Sequence, residues 1–249
     1  MTNESSIEIS QLTKIYRRAQ VPAVNNISFK IPKGAVFGLL GPNGAGKTTT
    51  ISVLCGLIKQ WTGEITVEGL SLRNKLAEIK QLIGVAPQEI ALYATLTAWE
   101  NLECIGNMYG LNGKVLKERI ANCLEEFGLE ESAKKRIETF SGGMKRRINL
   151  IAAILHQPRI LFLDEPTAGV DVQSRNVIAG YLMNLNKMGT TIIYTSHLME
   201  EAESLCTDIA VIDNGNIIAE GKPGELISKS ESANLEQLFL KLTGRKLRD

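Results

Sequence analysis

The chain has 249 residues, 44% of them hydrophobic and 22% charged, enough for one large core or two subdomains sharing a surface. A net charge of +1 gives no global field to draw in nucleic acid or an anionic membrane. Cys55, Cys104, Cys123 and Cys206 lie far apart without C-x-x-C pairing, which argues against a metal cluster or a disulfide framework and fits a reducing cytosol.

The first residues, Met1-Thr2-Asn3-Glu4-Ser5-Ser6, are polar and lack the apolar centre of a signal peptide. No apolar run approaches the ~18 residues of a membrane helix. If the protein works at a membrane, another chain is expected to span it.

Residues 7–31 alternate as strands do, with Ile7, Ile9 and Leu12 and then Val24, Ile27, Phe29 and Ile31 as the apolar set. Between these runs, Tyr16 either stacks on a purine ring or caps a sheet edge, and the local sequence favours neither. Pro32-Lys33-Gly34 turns the chain into the apolar run Val36-Phe37-Gly38-Leu39-Leu40. The next stretch, Gly41-Pro42-Asn43-Gly44-Ala45-Gly46-Lys47-Thr48-Thr49, reads G-x-x-x-x-G-K-[ST], the phosphate-binding loop. Its glycines let backbone N–H groups face one concavity that binds an anion. The helix opening near Lys47 adds the positive end of its dipole. Lys47 then reaches the β- and γ-phosphates, and the Thr48 hydroxyl is placed to ligate Mg²⁺. A buried strand before the loop and helical apolar spacing over Thr49–Leu54 supply the context the motif needs. This is a nucleoside triphosphate site.

Gly63–Gly69 reads as a further strand and turn, and Ile83–Gln88 as a short buried strand with a polar end. Gln88 is either a ligand for Mg²⁺ or the attacking water, or a plain turn residue after Pro87, which the local sequence favours. Residues 97–128 look helical, punctuated by Asn112-Gly113 and Gly128, with Trp99 opening the first helix as a core or interface anchor. Ser141-Gly142-Gly143 breaks the pattern before a helix from Met144 to His156, stopped by Pro158. Lys145-Arg146-Arg147 reads as a solvated face, and His156 as a helix C-terminal cap. Ile160-Leu161-Phe162-Leu163-Asp164-Glu165 is a buried strand with two carboxylates at its carboxyl end, where parallel α/β sheets bind ligands. Asp164 would hold Mg²⁺, and Glu165 is suited to orient or deprotonate the attacking water.

A helix is expected over Val170–Met188, then a β-branched strand, Thr190–Thr195, leading to Ser196-His197. His197 either contacts the γ-phosphate or is an ordinary loop histidine. A hairpin follows around Asp213-Asn214-Gly215-Asn216, then a short helix after Pro223, a polar linker Ser228–Ala233, and a last helix over Asn234–Leu242.

In this order the motifs resemble the nucleotide-binding subunit of an ABC transporter, over nearly the whole chain. The most specific element is Phe140-Ser141-Gly142-Gly143-Met144, similar to the family's LSGGQ signature upstream of the Asp164-Glu165 strand, with Phe140 for Leu and Met144 for Gln. The resemblance implies ATP as the nucleotide, Tyr16 as the aromatic that stacks on its base, and Gln88 as the Q-loop residue. It also implies Ala168-Gly169-Val170-Asp171 as the D-loop, Glu165 as catalytic base and His197 as the switch histidine. Ser141, Gly142 and Gly143 would contact the γ-phosphate held by a partner chain, so paired ATPase subunits, homodimeric or otherwise, are implied.

The fold implied is α/β: a P-loop NTPase core with a mostly parallel sheet, an antiparallel β subdomain, and a helical signature subdomain at about 90–157. The cassette would span 1–230, with 231–249 as a short C-terminal helical tail; no internal repeat is found, so a single cassette is expected. The signature and the Leu235–Gly244 tail are similar to exporters of the daunorubicin-resistance type, whose partner is a separate membrane permease. An exporter ATPase, peripheral on the cytoplasmic face of the cell membrane, is the expectation. The alternative is a soluble ABC ATPase acting on ribosomes or nucleic acid; such proteins carry paired cassettes with a basic linker, or long heptad helices, and this chain has neither. Nucleic acid is therefore not an expected partner. Ile90-Ala91-Leu92-Tyr93 and Leu96, directly after Gln88, are the candidate surface for docking the permease.

Overall fold

The computed structural model describes residues 4–244; residues 1–3 and 245–249, the outer ends of the expected cassette and tail, lie outside the described residues. The chain begins with strands β1 (Ser5–Lys14), β2 (Val24–Pro32) and β3 (Val36–Leu40), followed by helix α1 (Lys47–Leu54). β4 (Thr62–Val67), β5 (Leu70–Ser71), α2 (Leu76–Leu82) and β6 (Ile83–Ala86) come next, then three helices, α3 (Ala98–Met108), α4 (Gly113–Glu126) and α5 (Gly142–Ile154). The rest is β7 (Ile160–Asp164), α6 (Val172–Lys187), β8 (Thr191–Ser196), α7 (Met199–Leu205), β9 (Asp208–Asp213), β10 (Asn216–Gly221), α8 (Pro223–Lys229) and α9 (Leu235–Thr243).

Among the described residues the strands form two sheets, a four-stranded one in the order β2-β1-β4-β5 and a six-stranded one in the order β10-β9-β3-β8-β7-β6. The first is antiparallel throughout; the second is parallel from β9 to β6, with β10 antiparallel at its edge. The uninterrupted apolar run of β7 has a direct cause. Ile160 and Phe162 pack in the core between the two sheets, beside Phe29 and Phe37. Leu161 and Leu163 face the opposite core, which the helices cover. A strand buried on both faces has no place for polar alternation.

β1 shows the contrasting case. Its apolar residues step from Ile7 to Ile9 to Leu12, and the missed beat coincides with a register shift at Gln11, which has φ 53°. A bulge there restores the inward face. The hairpin β9–β10 closes on Asn214-Gly215, both at positive φ, as a two-residue turn requires.

α2 and α7, of seven residues each, are elements the sequence pattern does not reveal. α8 extends to Lys229, so the polar linker is shorter than the composition implies. α9 is capped by Asn234, whose side chain accepts from the Gln237 amide, and it buries Leu235, Leu238 and Phe239 in the helix-covered core.

His156 does not cap its own helix. Its ring stacks on Tyr109 with centroids 3.7 Å apart, and its Nε2 meets the Ile83 carbonyl at 2.9 Å. Helix α5 is thereby tied to β6, and burial lowers the imidazole pKa.

A second constraint joins the same elements at Gly84, where a Cβ would sit 2.1 Å from the Ala153 carbonyl oxygen. Gly84→Ala is expected to cost about 1–3 kcal/mol through overpacking, lowering the Tm by several degrees. Gly180→Ala, on an open face of α6, should raise the Tm slightly by removing ~0.5–1 kcal/mol of helix penalty. Thermal denaturation showing the two variants shifted alike would contradict this reading of the β6–α5 contact.

Candidate functional site

The parallel order of β3, β8, β7 and β6 lines up four carboxyl ends, and each carries a residue singled out above. The phosphate loop leaves β3, Ser196-His197 leaves β8, Asp164-Glu165 leaves β7, and Pro87-Gln88 leaves β6. A crevice at these ends is where open α/β sheets hold their ligands.

In the loop, Gly46 has φ 113°, and a Cβ there would lie 2.5 Å from the Ala23 carbonyl oxygen. Both facts demand glycine. Gly41, Pro42, Ala45 and Gly46 are buried, while Asn43 and Gly44 are exposed. Lys47 starts α1 and is 4% exposed, its Nζ donating to the carbonyls of Gly41 at 2.8 Å and Pro42 at 3.1 Å. Burial lowers its pKa, and the charges of Glu165 and Asp164 oppose that fall. Thr48 is exposed, and Thr49 meets the Tyr16 hydroxyl at 3.2 Å. Tyr16 therefore stands beside the phosphate loop, with Lys14 Nζ 5.0 Å from its ring centroid.

Glu165 is the point of convergence. Lys47 Nζ lies 3.5 Å from Oε1, His197 Nδ1 lies 3.2 Å from the same oxygen, and Gln88 Nε2 donates to Oε2 at 3.2 Å. The histidine contact is close but not aligned as a hydrogen bond. Glu165 is 7% exposed and has φ 48°, a left-handed backbone that is costly for a residue with a Cβ. Asp164 accepts a 2.6 Å hydrogen bond from Thr195 Oγ1, and the Glu165 amide donates to that same hydroxyl oxygen at 3.0 Å. Thr195, fully buried near the end of β8, fixes both carboxylate residues at once. The strand pattern marked Thr195 only as β-branched, and nothing in it distinguishes this hydroxyl.

Ser141, Gly142 and Gly143 have contacts of their own. Ser141 caps α5, its side chain accepting from the Met144 amide at 3.2 Å. Gly143 packs so tightly on Ser174 and Asp171 that a Cβ would lie 2.4 Å from Ser174 Oγ. The residues after the signature are not a solvated face. Arg146 Nη1 donates to the Gln88 carbonyl at 2.6 Å and the Pro87 carbonyl at 3.3 Å, and Arg147 Nη1 to the Phe127 carbonyl at 2.7 Å. Asn149 adds a bond to the Pro87 carbonyl and accepts from the Ala91 amide. The chain around Gln88 is thus fastened to the signature helix. In the segment beyond it, Ile90, Leu92 and Leu96 are half-buried and Leu92 packs on the helical core, whereas Tyr93 is 57% exposed.

A Gly-rich anion loop, a buried lysine and a carboxylate cluster at parallel strand ends define a nucleotide hydrolase. The family model described as "ABC transporter" matches residues 24–168, more than half of the chain, and the chain belongs to that family. It is an ATP-binding ATPase. The linearmycin resistance ATP-binding protein LnrL of Bacillus subtilis is 51% identical over 232 residues, which are 93% of this chain and 74% of that protein. The doxorubicin resistance ATP-binding protein DrrA of Mycobacterium tuberculosis is 35% identical over 247 residues, 99% of this chain and 73% of that protein. Among solved structures, an ATP-binding subunit of an ABC transporter superposes with TM-score 0.87 at 27% identity, covering 96% of this chain and 100% of that one. A dimeric ATP-binding cassette in a post-hydrolysis state with ADP and Pi gives 0.80 at 26% identity, covering 87% and 98%.

Thr195→Val keeps the shape of the side chain and removes the shared hydroxyl. The loss of a hydrogen bond to a buried carboxylate is expected to cost about 1–3 kcal/mol, seen as a lower Tm and a slower ATPase. Thr195→Ser should recover most of both. A valine variant as stable and active as the parent would show that Thr195 does not hold Asp164 and Glu165 in place.

Proposed function

We propose that this ATPase powers an exporter, working in pairs on the cytoplasmic face of the cell membrane with a separate membrane-spanning permease. The observation that carries the hydrolytic half of this reading is the meeting of Lys47, Gln88 and His197 on the Glu165 carboxylate. Export is supported by the names of relatives, which are resistance proteins for linearmycin and doxorubicin. A separate permease agrees with the described residues, in which no helix is long and apolar enough to cross a membrane.

In this reading the backbone from Gly41 to Thr49 cradles the triphosphate, Lys47 neutralises its β- and γ-phosphates, and Tyr16 stacks on the base. Mg²⁺ fits the donor set. Thr48, Gln88 and Asp164 offer hard oxygen atoms, and the described residues contain no group of three His, Cys, Asp or Glu that could hold a metal unaided. One carboxylate and one hydroxyl, completed by phosphate oxygens and water, is how proteins commonly hold this ion. When bound it would neutralise charge on the phosphates. Glu165 takes a proton from the attacking water, Gln88 orients that water, and His197 contacts the γ-phosphate. Asp164 keeps its carboxylate fixed through Thr195.

Ser141, Gly142 and Gly143 act on the nucleotide of the partner chain, which is supported by the dimeric cassette among the structural neighbours. Two ATP molecules hold the dimer closed, and loss of the γ-phosphate opens it. We assign residues 1–230 to the cassette and 231–249 to its helical tail. The docking surface for the permease centres on exposed Tyr93.

Glu165→Gln should retain ATP binding and lose roughly 10²–10⁴ in turnover, the scale of a general base, while accumulating an ATP-bound dimer visible by sedimentation. A parental rate in that variant would remove Glu165 from the role. For docking, Tyr93→Asp should leave ATP binding and folding unchanged and abolish co-purification with the co-expressed permease; retained recruitment would place the surface elsewhere.

A further inference from the structure

Glu201 lies on α7, four residues beyond His197, with its side chain 11% exposed. A carboxylate so placed is costly unless it is both paired and hydrogen-bonded. Its partners come from three other segments. Thr167 Oγ1 donates to Oε2 at 2.7 Å, from the turn that follows Asp164-Glu165. Tyr194, 1% exposed on β8, donates its hydroxyl to the same oxygen. Arg175, in the first turn of α6, brings Nε to 3.2 Å from Oε1, a contact of charges rather than an aligned hydrogen bond.

The Tyr194–Glu201 bond closes across residues 195–200, and so encloses Ser196, His197 and Leu198, the turn that presents the histidine. Thr167 binds the same carboxylate and also touches the Tyr194 hydroxyl at 3.1 Å. The segment leaving Glu165 and the turn carrying His197 are therefore fastened to a single group. Burial and the bond to Glu201 push the Tyr194 hydroxyl pKa up, so Tyr194 remains a proton donor in this contact. A purely packing role would not call for a buried carboxylate, since apolar replacements of similar volume often serve stability as well or better.

We propose that Glu201 is a positioning residue for ATP hydrolysis, clasping the His197 turn to the Thr167 segment so that His197 stays in register with Glu165. Glu201 touches no reacting atom and acts through His197. The inference rests on the role given to His197 above.

The test is steady-state ATP hydrolysis by the full chain, with nucleotide affinity and Tm measured alongside. Glu201→Gln, which keeps the shape and removes the charge, should lower kcat about tenfold and leave KM within about twofold, the pattern of a lost transition-state contact. In a His197→Ala background the same change should alter kcat by less than about twofold, because residues acting through one another are not additive. If Glu201→Gln does not fold, Tyr194→Phe removes one bond of the clasp and should show the same two results in milder form. Multiplicative losses in the double variant, or a parental rate in Glu201→Gln, would overturn the proposal. A parental rate in His197→Ala would instead sink the role given to His197, and the clasp with it. A slow His197→Ala beside a normal Glu201→Gln sinks the clasp alone.

Discussion

A lysine ammonium buried to 4% exposure must be surrounded by anions or carbonyl dipoles, and the fold is arranged to supply them. Two come from the phosphate loop itself, through Gly41 and Pro42. The third, Glu165, comes from a strand more than a hundred residues further on. That contact requires β7 to lie in the same parallel sheet as β3, with β8 between them. The left-handed φ of 48° at Glu165 turns the carboxylate back towards Lys47, and a local strain of about 1–3 kcal/mol is the usual cost of such a backbone. Strain at this residue and none at its neighbour Asp164 is consistent with different tasks. Asp164 is locked to Thr195, while Glu165 meets Lys47, His197 and Gln88.

The walls of the site extend well beyond the residues that face it. Arg146 and Asn149 reach from α5 to the carbonyls of Pro87 and Gln88, so the helix beginning at the signature is tied to the residue that touches Glu165. On the other side, Gly143 is seated on Asp171 and Ser174, and Asp171 caps α6 by accepting from the Ser174 amide. A displacement of Gln88 therefore has a physical route to the signature residues, and the signature residues have one to the segment at 168–171. One route consists of three hydrogen bonds and the other of one close-packed glycine.

Much of this was legible in the sequence wherever the chemistry forces a residue type at a fixed spacing. The phosphate loop, the apolar strand ending in Asp164-Glu165, and the hairpin at Asn214-Gly215 are of that kind. Tyr16, Gln88 and His197 were ambiguous from local sequence alone, because a tyrosine, glutamine or histidine in a loop has several ordinary uses. The sheet order brings Gln88 and His197 to the Glu165 carboxylate, and the bond to Thr49 sets Tyr16 beside the phosphate loop, placements that local sequence does not contain. Thr195, Arg146 and Glu201 were not legible at all. Their partners are distant in the chain, and a threonine in a strand, an arginine in a helix and a glutamate in a short helix carry no periodic signal. The position of His156 suggests a cap, and its stacking on Tyr109 depends on a packing arrangement that no local rule contains.

In the proposed dimer each hydrolytic site combines the Lys47 loop of one chain with the Ser141 signature of another. Mixing two inactive variants tests this arrangement. Ser141→Arg should disable the partner's site and Lys47→Ala the chain's own, so neither alone should turn over ATP at an appreciable rate. A mixed dimer leaves one composite site whole, so combining the two proteins is expected to restore hydrolysis. If the mixture stays as inactive as its components while both chains are folded, the site does not cross the dimer.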